Sequence, residues 1–158
     1  MPVAPGVDLA LEDPGSTDAQ WCVQQYFDEL NARFPTGFNP ALSISADRAE
    51  LSPPAGLFLV ARLDGRPAGC GALKFHPGAP AELKRMWVAP DARGLGLGRR
   101  ILAELEAQAR TAGVEILHLE TNETLVEAIA LYRRNGWIEV PAFNTEPYAH
   151  HWFEKRLA

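Results

Sequence analysis

The stretch of this chain with the plainest chemical potential is Arg93-Gly94-Leu95-Gly96-Leu97-Gly98-Arg99-Arg100, where three glycines fall within five residues and arginines stand on both sides. The apolar-rich run Leu83–Val88 precedes it, and Ile101, Leu102, Leu105 and Ala109 follow at helical spacing until Gly113 ends the pattern. A strand, a glycine-rich turn and a helix start together make an anion site. The first helical turn leaves its N–H groups unpaired, and the aligned peptide dipoles favour negative charge there. Glycine lets those groups approach a ligand with no Cβ in the way. Arg93, Arg99 and Arg100 add charge that can pair with phosphate oxygens. A pyrophosphate fits this arrangement best.

Two familiar phosphate loops do not match. A P-loop needs a Lys-Ser/Thr pair after its glycines, and the dinucleotide fingerprint spaces them as GxGxxG. Here the spacing is Gly94, Gly96, Gly98, behind strands that a hairpin joins. Another nucleotide at this loop would require a different strand order. The segment "MWVAPDARGLGLGRRIL" resembles the acyl-CoA-binding motif of the GNAT superfamily of N-acetyltransferases. The resemblance continues in "LETN" (Leu119–Asn122) and "AIALYRRNGW" (Ala128–Trp137), and covers roughly residues 57–157. It implies that the backbone amides of Arg93, Gly94, Leu95, Gly96, Leu97 and Gly98 hold the CoA pyrophosphate, with Arg99 adding charge. Backbone groups of Trp87 and Val88 would pair with the pantetheine arm like an added strand. The arm would lie between two parallel strands splayed apart, Leu83–Val88 and Glu115–Thr121. The co-substrate implied is acetyl-CoA, with no metal.

Acetyl transfer from a thioester to an amine poses two proton problems. An alkylammonium, with a pKa of about 10.4, cannot attack until it loses a proton, and the leaving thiolate needs a hydrogen-bond donor. The resemblance implies Tyr132 as that donor, facing the CoA sulfur. It implies Glu82 as the base that relays the amine proton, with Glu120 at the end of the neighbouring strand as its rival and solvent as a third route. Strand alternation puts Glu82 on one face with Lys84, Met86 and Val88. Asn122 has two readings, a hydrogen bond to the pantetheine amides or a cap on the following turn. His150 and His151 are adjacent on a strand and point to opposite faces, so they are not a metal pair. The expected activity is direct attack of a primary amine on acetyl-CoA in a ternary complex. The alternative is a non-catalytic acyl-CoA-binding sensor that kept the cofactor loop.

These residues must be positioned by elements the pattern also marks. Val7–Leu11 reads as a first strand. "STDAQWCVQQYFDELNARF" reads as a helix opened by a Thr17/Gln20 capping box. Asp64-Gly65 between two apolar runs signals a hairpin. Glu82–Val88 is a third strand of that group, and "VEILHLET" a mostly buried one. A Thr124/Glu127 capping box opens a helix that stops at Gly136, and "WIEV" and "YAHHWFEKRL" are the last strands. The fold expected is α/β, GNAT-like: a mixed, mostly antiparallel sheet with a central splayed parallel pair, flanked by helices, as one domain over 1–158. The acceptor would enter opposite the cofactor, near the loops Pro35–Asn39 and Pro141–Pro147.

Composition agrees with that picture. The net charge is −5, yet residues 82–110 hold six Lys/Arg against four acids, leaving nine bases and sixteen acids elsewhere. A local basic segment in an acidic chain suggests an anionic small ligand and disfavours nucleic acid as partner. The acidic remainder mildly favours a cationic acceptor. Cys22 and Cys70 have no metal or redox spacing and read as structural thiols in a reducing compartment. "MPVAPGVDLALEDPG" lacks the regions of a signal peptide, and the apolar run Leu57–Ala61 is too short to span a membrane. A cytoplasmic protein is expected. A homodimer through the C-terminal strands is open, and so is the acceptor's class.

Overall fold

The computed structural model describes residues 6–157; residues 1–5 of the stretch read for a leader lie outside them. The strands are β1 (Val7–Glu12), β2 (Gly56–Leu63), β3 (Arg66–Lys74), β4 (Ala81–Val88), β5 (Ile116–Thr121), β6 (Ile138–Val140) and β7 (His151–Arg156). The helices are α1 (Thr17–Arg33), α2 (Leu97–Thr111) and α3 (Val126–Arg134). The seven strands form one sheet in the order β1-β2-β3-β4-β5-β7-β6. Among the described residues, only β4 and β5 run parallel. This is the mixed, mostly antiparallel architecture the residues implied.

Asp64 and Gly65 both have positive φ, 49° and 82°, so they make the two-residue turn whose twist suits a hairpin. β2 is buried along nearly its whole length because helices cover the sheet on both faces. On one face, Gly69 and Gly71 let α2 lie close: a Cβ on Gly71 would stand 2.6 Å from Leu105 Cδ1. On the other face α1 packs, with Trp21 edge-on to Trp87 at 5.8 Å and the Cys22 thiol against the Gly69 carbonyl.

Two expected capping boxes do not form. Ser16, one residue earlier than expected, caps α1 and accepts from the Ala19 N–H at 3.2 Å, so Thr17 is already helical. At α3, the Thr124 hydroxyl donates to Asn122 Oδ1 at 2.8 Å and Glu127 pairs with Arg33 at 2.8 Å. Tertiary partners compete there with the local motif, and the helix starts at Val126 without a side-chain cap. β5 is also buried on one face only, at Leu117, Leu119 and Thr121, because His118 and Glu120 face the other side.

One irregularity organises the functional half. Cys70 pairs with Trp87, but Ala72 pairs with Lys84, so β4 carries one extra residue. Arg85, at φ 58°, is that bulge. It overturns the expected alternation: Glu82 and Lys84 face α1, whereas Met86 and Val88 cross to the α2 face. There a Cβ on Gly98 would meet Val88 Cγ2 at 3.5 Å and Met86 Cε at 3.9 Å. β4 and β5 pair only at Ala81/Leu117 and Glu82/His118, then diverge. β5 instead pairs along all six residues with β7. The gap opens in the middle of the sheet.

Candidate active site

The glycine loop stands at the mouth of that gap. Gly94 and Gly96 hold φ of 82° and 76°, conformations costly to any residue with a Cβ, and Gly96 is the N-cap of α2 with no side-chain cap bond. The first N–H with an intrahelical acceptor is that of Arg100, bonded to the Gly96 carbonyl at 3.2 Å. Among the described residues, the N–H groups from Gly94 to Arg99 have no partner. They open on a groove of about 710 Å³ whose walls include Trp87, Val88, Leu97, Leu131 and Arg99. α2 and α3 close its floor, where a Cβ on Gly98 would stand 3.2 Å from Leu131 Cδ2. Past Glu82, β4 pairs with no described strand on its β5 side, so that edge of β4 borders the opening.

The arginines divide. Arg93 is a brace: its Nε donates to the Val88 carbonyl at 3.2 Å and its Nη2 to Glu29 at 2.6 Å. Glu29 also faces Arg33 at 3.6 Å, and Arg33 pairs with Glu127, whose carboxyl is drawn down to about 2 chiefly by that hydrogen bond. The chain of charges ties α1 to the loop and to α3. Arg99 lies on the groove wall, and Leu95 points outward, about half exposed. Arg134 also lines the groove, and the sequence reading missed it. Its signal was helical spacing, since Glu127, Leu131 and Arg134 share one face of α3.

On the far side of the gap is a second hollow of about 90 Å³ that shares Tyr26, Met86, Leu125 and Ala128 with the groove. Tyr132 lines it, its ring packed against Trp137 and Phe153 at 5.9 and 6.1 Å. Burial pushes its phenol well above the ordinary value, and Tyr26 and Glu120 add to the effect. Burial likewise raises Tyr26 to about 12. Both hydroxyls therefore stay protonated and able to donate. Glu120 Oε1 accepts from Lys84 Nζ at 2.8 Å, while its Oε2 is buried without a partner.

Glu82 does not line the hollow. It sits where β4 and β5 are still paired, opposite His118, and its Oε2 lies 3.2 Å from His76 and 3.7 Å from Lys84. The strands separate only after it, so Lys84 and Glu120 reach the opening and Glu82 does not. Asn122 lines the hollow, with its side chain engaged in the turn: Nδ2 donates to the Tyr148 carbonyl at 2.8 Å, and Oδ1 accepts from Thr124 N at 2.9 Å. This is the geometry of its capping alternative. His150 and His151 bond separately, to the Glu123 N–H and to Glu139. The described residues contain no group of three His, Cys, Asp or Glu able to hold a metal, and no helix long and apolar enough to cross a membrane.

Of the two loops expected at the acceptor side, Phe38 and Glu146 line the hollow, and each loop bonds to a residue just beyond the other. Asn39 N–H donates to the Tyr148 hydroxyl at 2.9 Å, and Ser43 Oγ donates to Glu146 at 2.7 Å. The arrangement thus offers a row of free N–H groups for an anion, a protonated phenol at the gap, and an unpaired carboxylate oxygen across from it.

Comparisons with known proteins point the same way. The model of the acetyltransferase (GNAT) family matches residues 23–137. The chain is 40% identical over 146 residues to an IAA acetyltransferase of Azospirillum brasilense, covering 91% of each chain. Its fold matches a GNAT-family acetyltransferase from Staphylococcus aureus Mu50 with a TM-score of 0.73 at 15% identity, over 97% of this chain and 100% of that one. It also matches N-acetylglutamate synthase from Neisseria gonorrhoeae, solved with coenzyme A and L-arginine, with a TM-score of 0.67 at 21% identity. That match covers 95% of this chain and 33% of the synthase.

Proposed function

Because the chain belongs to the acetyltransferase (GNAT) family, whose members use acetyl-CoA, we propose that it moves the acetyl group of acetyl-CoA onto a primary amine by direct attack in a ternary complex. We read 1–158 as one such domain. The observation that carries this is the β4–β5 gap. It sets the Tyr132 hydroxyl and the unpaired Glu120 oxygen on one hollow, beside a groove edged by unpaired N–H groups.

The N–H groups from Gly94 to Arg99, with Arg99 and Arg134, bind the pyrophosphate. Arg93 acts through its brace to Glu29 and Val88, holding the loop in place. The edge of β4 beyond Glu82 pairs with the pantetheine amides as an added strand would, with the Val88 carbonyl already engaged by Arg93 Nε. Glu120 takes the amine proton, directly or through water, and the nitrogen attacks the thioester carbon. The C–S bond breaks as the nitrogen gives up its second proton to water, and Tyr132 donates a hydrogen bond to the departing thiolate. Full transfer from a raised phenol to a thiolate is uphill, so Tyr132 acts chiefly as a hydrogen-bond donor. Glu82 reaches the site only through Lys84 and supports it electrostatically.

Isothermal titration with acetyl-CoA tests the cofactor half, using wild-type protein and Gly96→Glu, which puts a carboxylate at the anion cradle. Wild type binds and the variant does not. A thiol-release assay across amine classes tests the chemistry. Binding without turnover by any class would favour the sensor, and no binding by folded wild type would overturn both readings.

A further inference from the structure

The β4 bulge turns one residue that the mechanism has not used. Arg85 is not glycine, yet it sits at φ 58°, a conformation that costs free energy and is held only by its surroundings. The Cys70 thiol donates to its carbonyl at 3.1 Å. Its guanidinium lies over the Phe27 ring at 4.7 Å and lines the same hollow as Tyr132 and Glu120. An arginine carries five N–H donors. Among the described residues Arg85 finds one weak acceptor, the Ala46 carbonyl at 3.4 Å, and no carboxylate pairs with it. Burial lowers its pKa, as expected for a cation removed from water with no counter-ion in contact.

The acids of the hollow are already held. Glu120 Oε1 is bound by Lys84 at 2.8 Å, and Glu146 accepts from Ser43 Oγ and the Ile44 N–H, both at 2.7 Å. What stays largely unpaired is one guanidinium and one buried carboxylate oxygen, Glu120 Oε2, in a hollow also walled by Phe34, Phe38 and Tyr148. A half-buried cation with no counter-ion in contact calls for an anionic partner. A polyamine would meet Lys84 and Arg85 with like charge, and a lysine within a protein brings no carboxylate of its own. We infer that the acceptor is a free amino acid with an aromatic side chain, its carboxylate held by Arg85 and its amine presented to Glu120. The inference rests on the acetyltransferase reading and narrows its acceptor. Arg85 thereby becomes the residue that sets acceptor specificity.

The test separates this inference from that reading by using a probe that cannot react. N-acetyl-L-phenylalanine and N-acetyl-L-phenylalaninamide differ only in the carboxylate. Each is titrated into CoA-saturated wild type, Arg85→Lys and Arg85→Gln, with CoA affinity measured on each variant as the control for folding. Wild type binds the acid roughly tenfold or more tightly than the amide, the size of a charged hydrogen-bond pair in a dry site. Arg85→Gln closes the gap and Arg85→Lys keeps part of it. Equal affinity for acid and amide in wild type, a gap that survives in Arg85→Gln, or no binding of the acid would each overturn the inference. Turnover gives a parallel readout: kcat/KM for L-phenylalanine exceeds that for 2-phenylethylamine, and the order reverses in Arg85→Gln. An acid preference without any turnover would sink the acetyltransferase reading while leaving the carboxylate site standing.

Discussion

Replacing Tyr132 by Phe removes one oxygen and nothing else. The structure makes the two consequences separable. Among the described residues the Tyr132 hydroxyl has no hydrogen-bond partner, and its ring keeps its packing against Trp137 and Phe153. No internal hydrogen bond is lost, so stability should shift by no more than about 0.5 kcal/mol. For a domain of this size that is a change of at most about 2 °C in Tm. The catalytic effect is much larger. A positioned donor at a leaving group is worth roughly 10²–10⁴-fold, which is about 2.7–5.5 kcal/mol of barrier. Thiol release followed with a chromogenic disulfide gives kcat, calorimetry gives CoA affinity, and a thermal scan gives Tm. The expected pattern is a fall in kcat of at least about 100-fold, with CoA affinity and Tm nearly unchanged. Because burial holds the phenol well above its ordinary value, the neutral donor persists through the alkaline range, and Tyr132 contributes no basic limb to the kcat profile at neutral pH. An unchanged kcat in Tyr132→Phe would refute the assignment, and so would a large loss of Tm with a proportionate loss of active protein.

Glu120→Gln should lower kcat/KM at pH 7 by roughly 100-fold, and the loss should shrink as pH rises toward the amine pKa of about 10.4, where solvent supplies the free base. Glu82→Gln should do much less; the reverse ranking, read from paired pH–rate profiles, would return the base to β4. Gly56→Ala should destabilise by about 3 kcal/mol, the upper end for overpacking, and drop Tm by roughly 10 °C. Its new Cβ would lie 2.2 and 2.3 Å from the backbone oxygens of Glu50 and Leu73, which cannot swing aside. Glu50 is held at about 2, against an ordinary 4.5, first by Lys74 at 2.7 Å. Its folded pKa is depressed, so its stabilisation is complete above pH 4.5 and is lost as pH falls through about 2. Lys74→Met should flatten the decline of Tm across that acid window, and a decline as steep as in wild type would show that other carboxylates cause it.

The family resemblance, the glycine loop, the hairpin at Asp64-Gly65, the stop at Gly113 and the order of elements were all legible in the chain. Each is a local matter. Positive φ at a glycine, an unpaired helix start or an alternating run is dictated by neighbours a few residues away. The failures share the opposite cause. Thr17/Gln20 and Thr124/Glu127 have the right spacing for capping boxes, but Ser16 is better placed at α1, and Arg33, ninety-four residues away in the chain from Glu127, takes that carboxylate at α3. Asn122 reads as a ligand or a cap until Tyr148 arrives from the far end of the chain to accept its amide. On paper Glu82 is the base and Glu120 its rival. Only the point at which β4 and β5 part company, just past Glu82 and His118, brings one of them to the opening.

The residues by themselves thus determined what ligand could be held and what kind of sheet would hold it, because anion binding and strand pairing follow from backbone geometry and periodicity. Tertiary structure decided which side chains meet across the gap. One extra residue at Arg85 reverses the faces of the rest of β4, and a bulge depends on the register with β3 as much as on its own sequence.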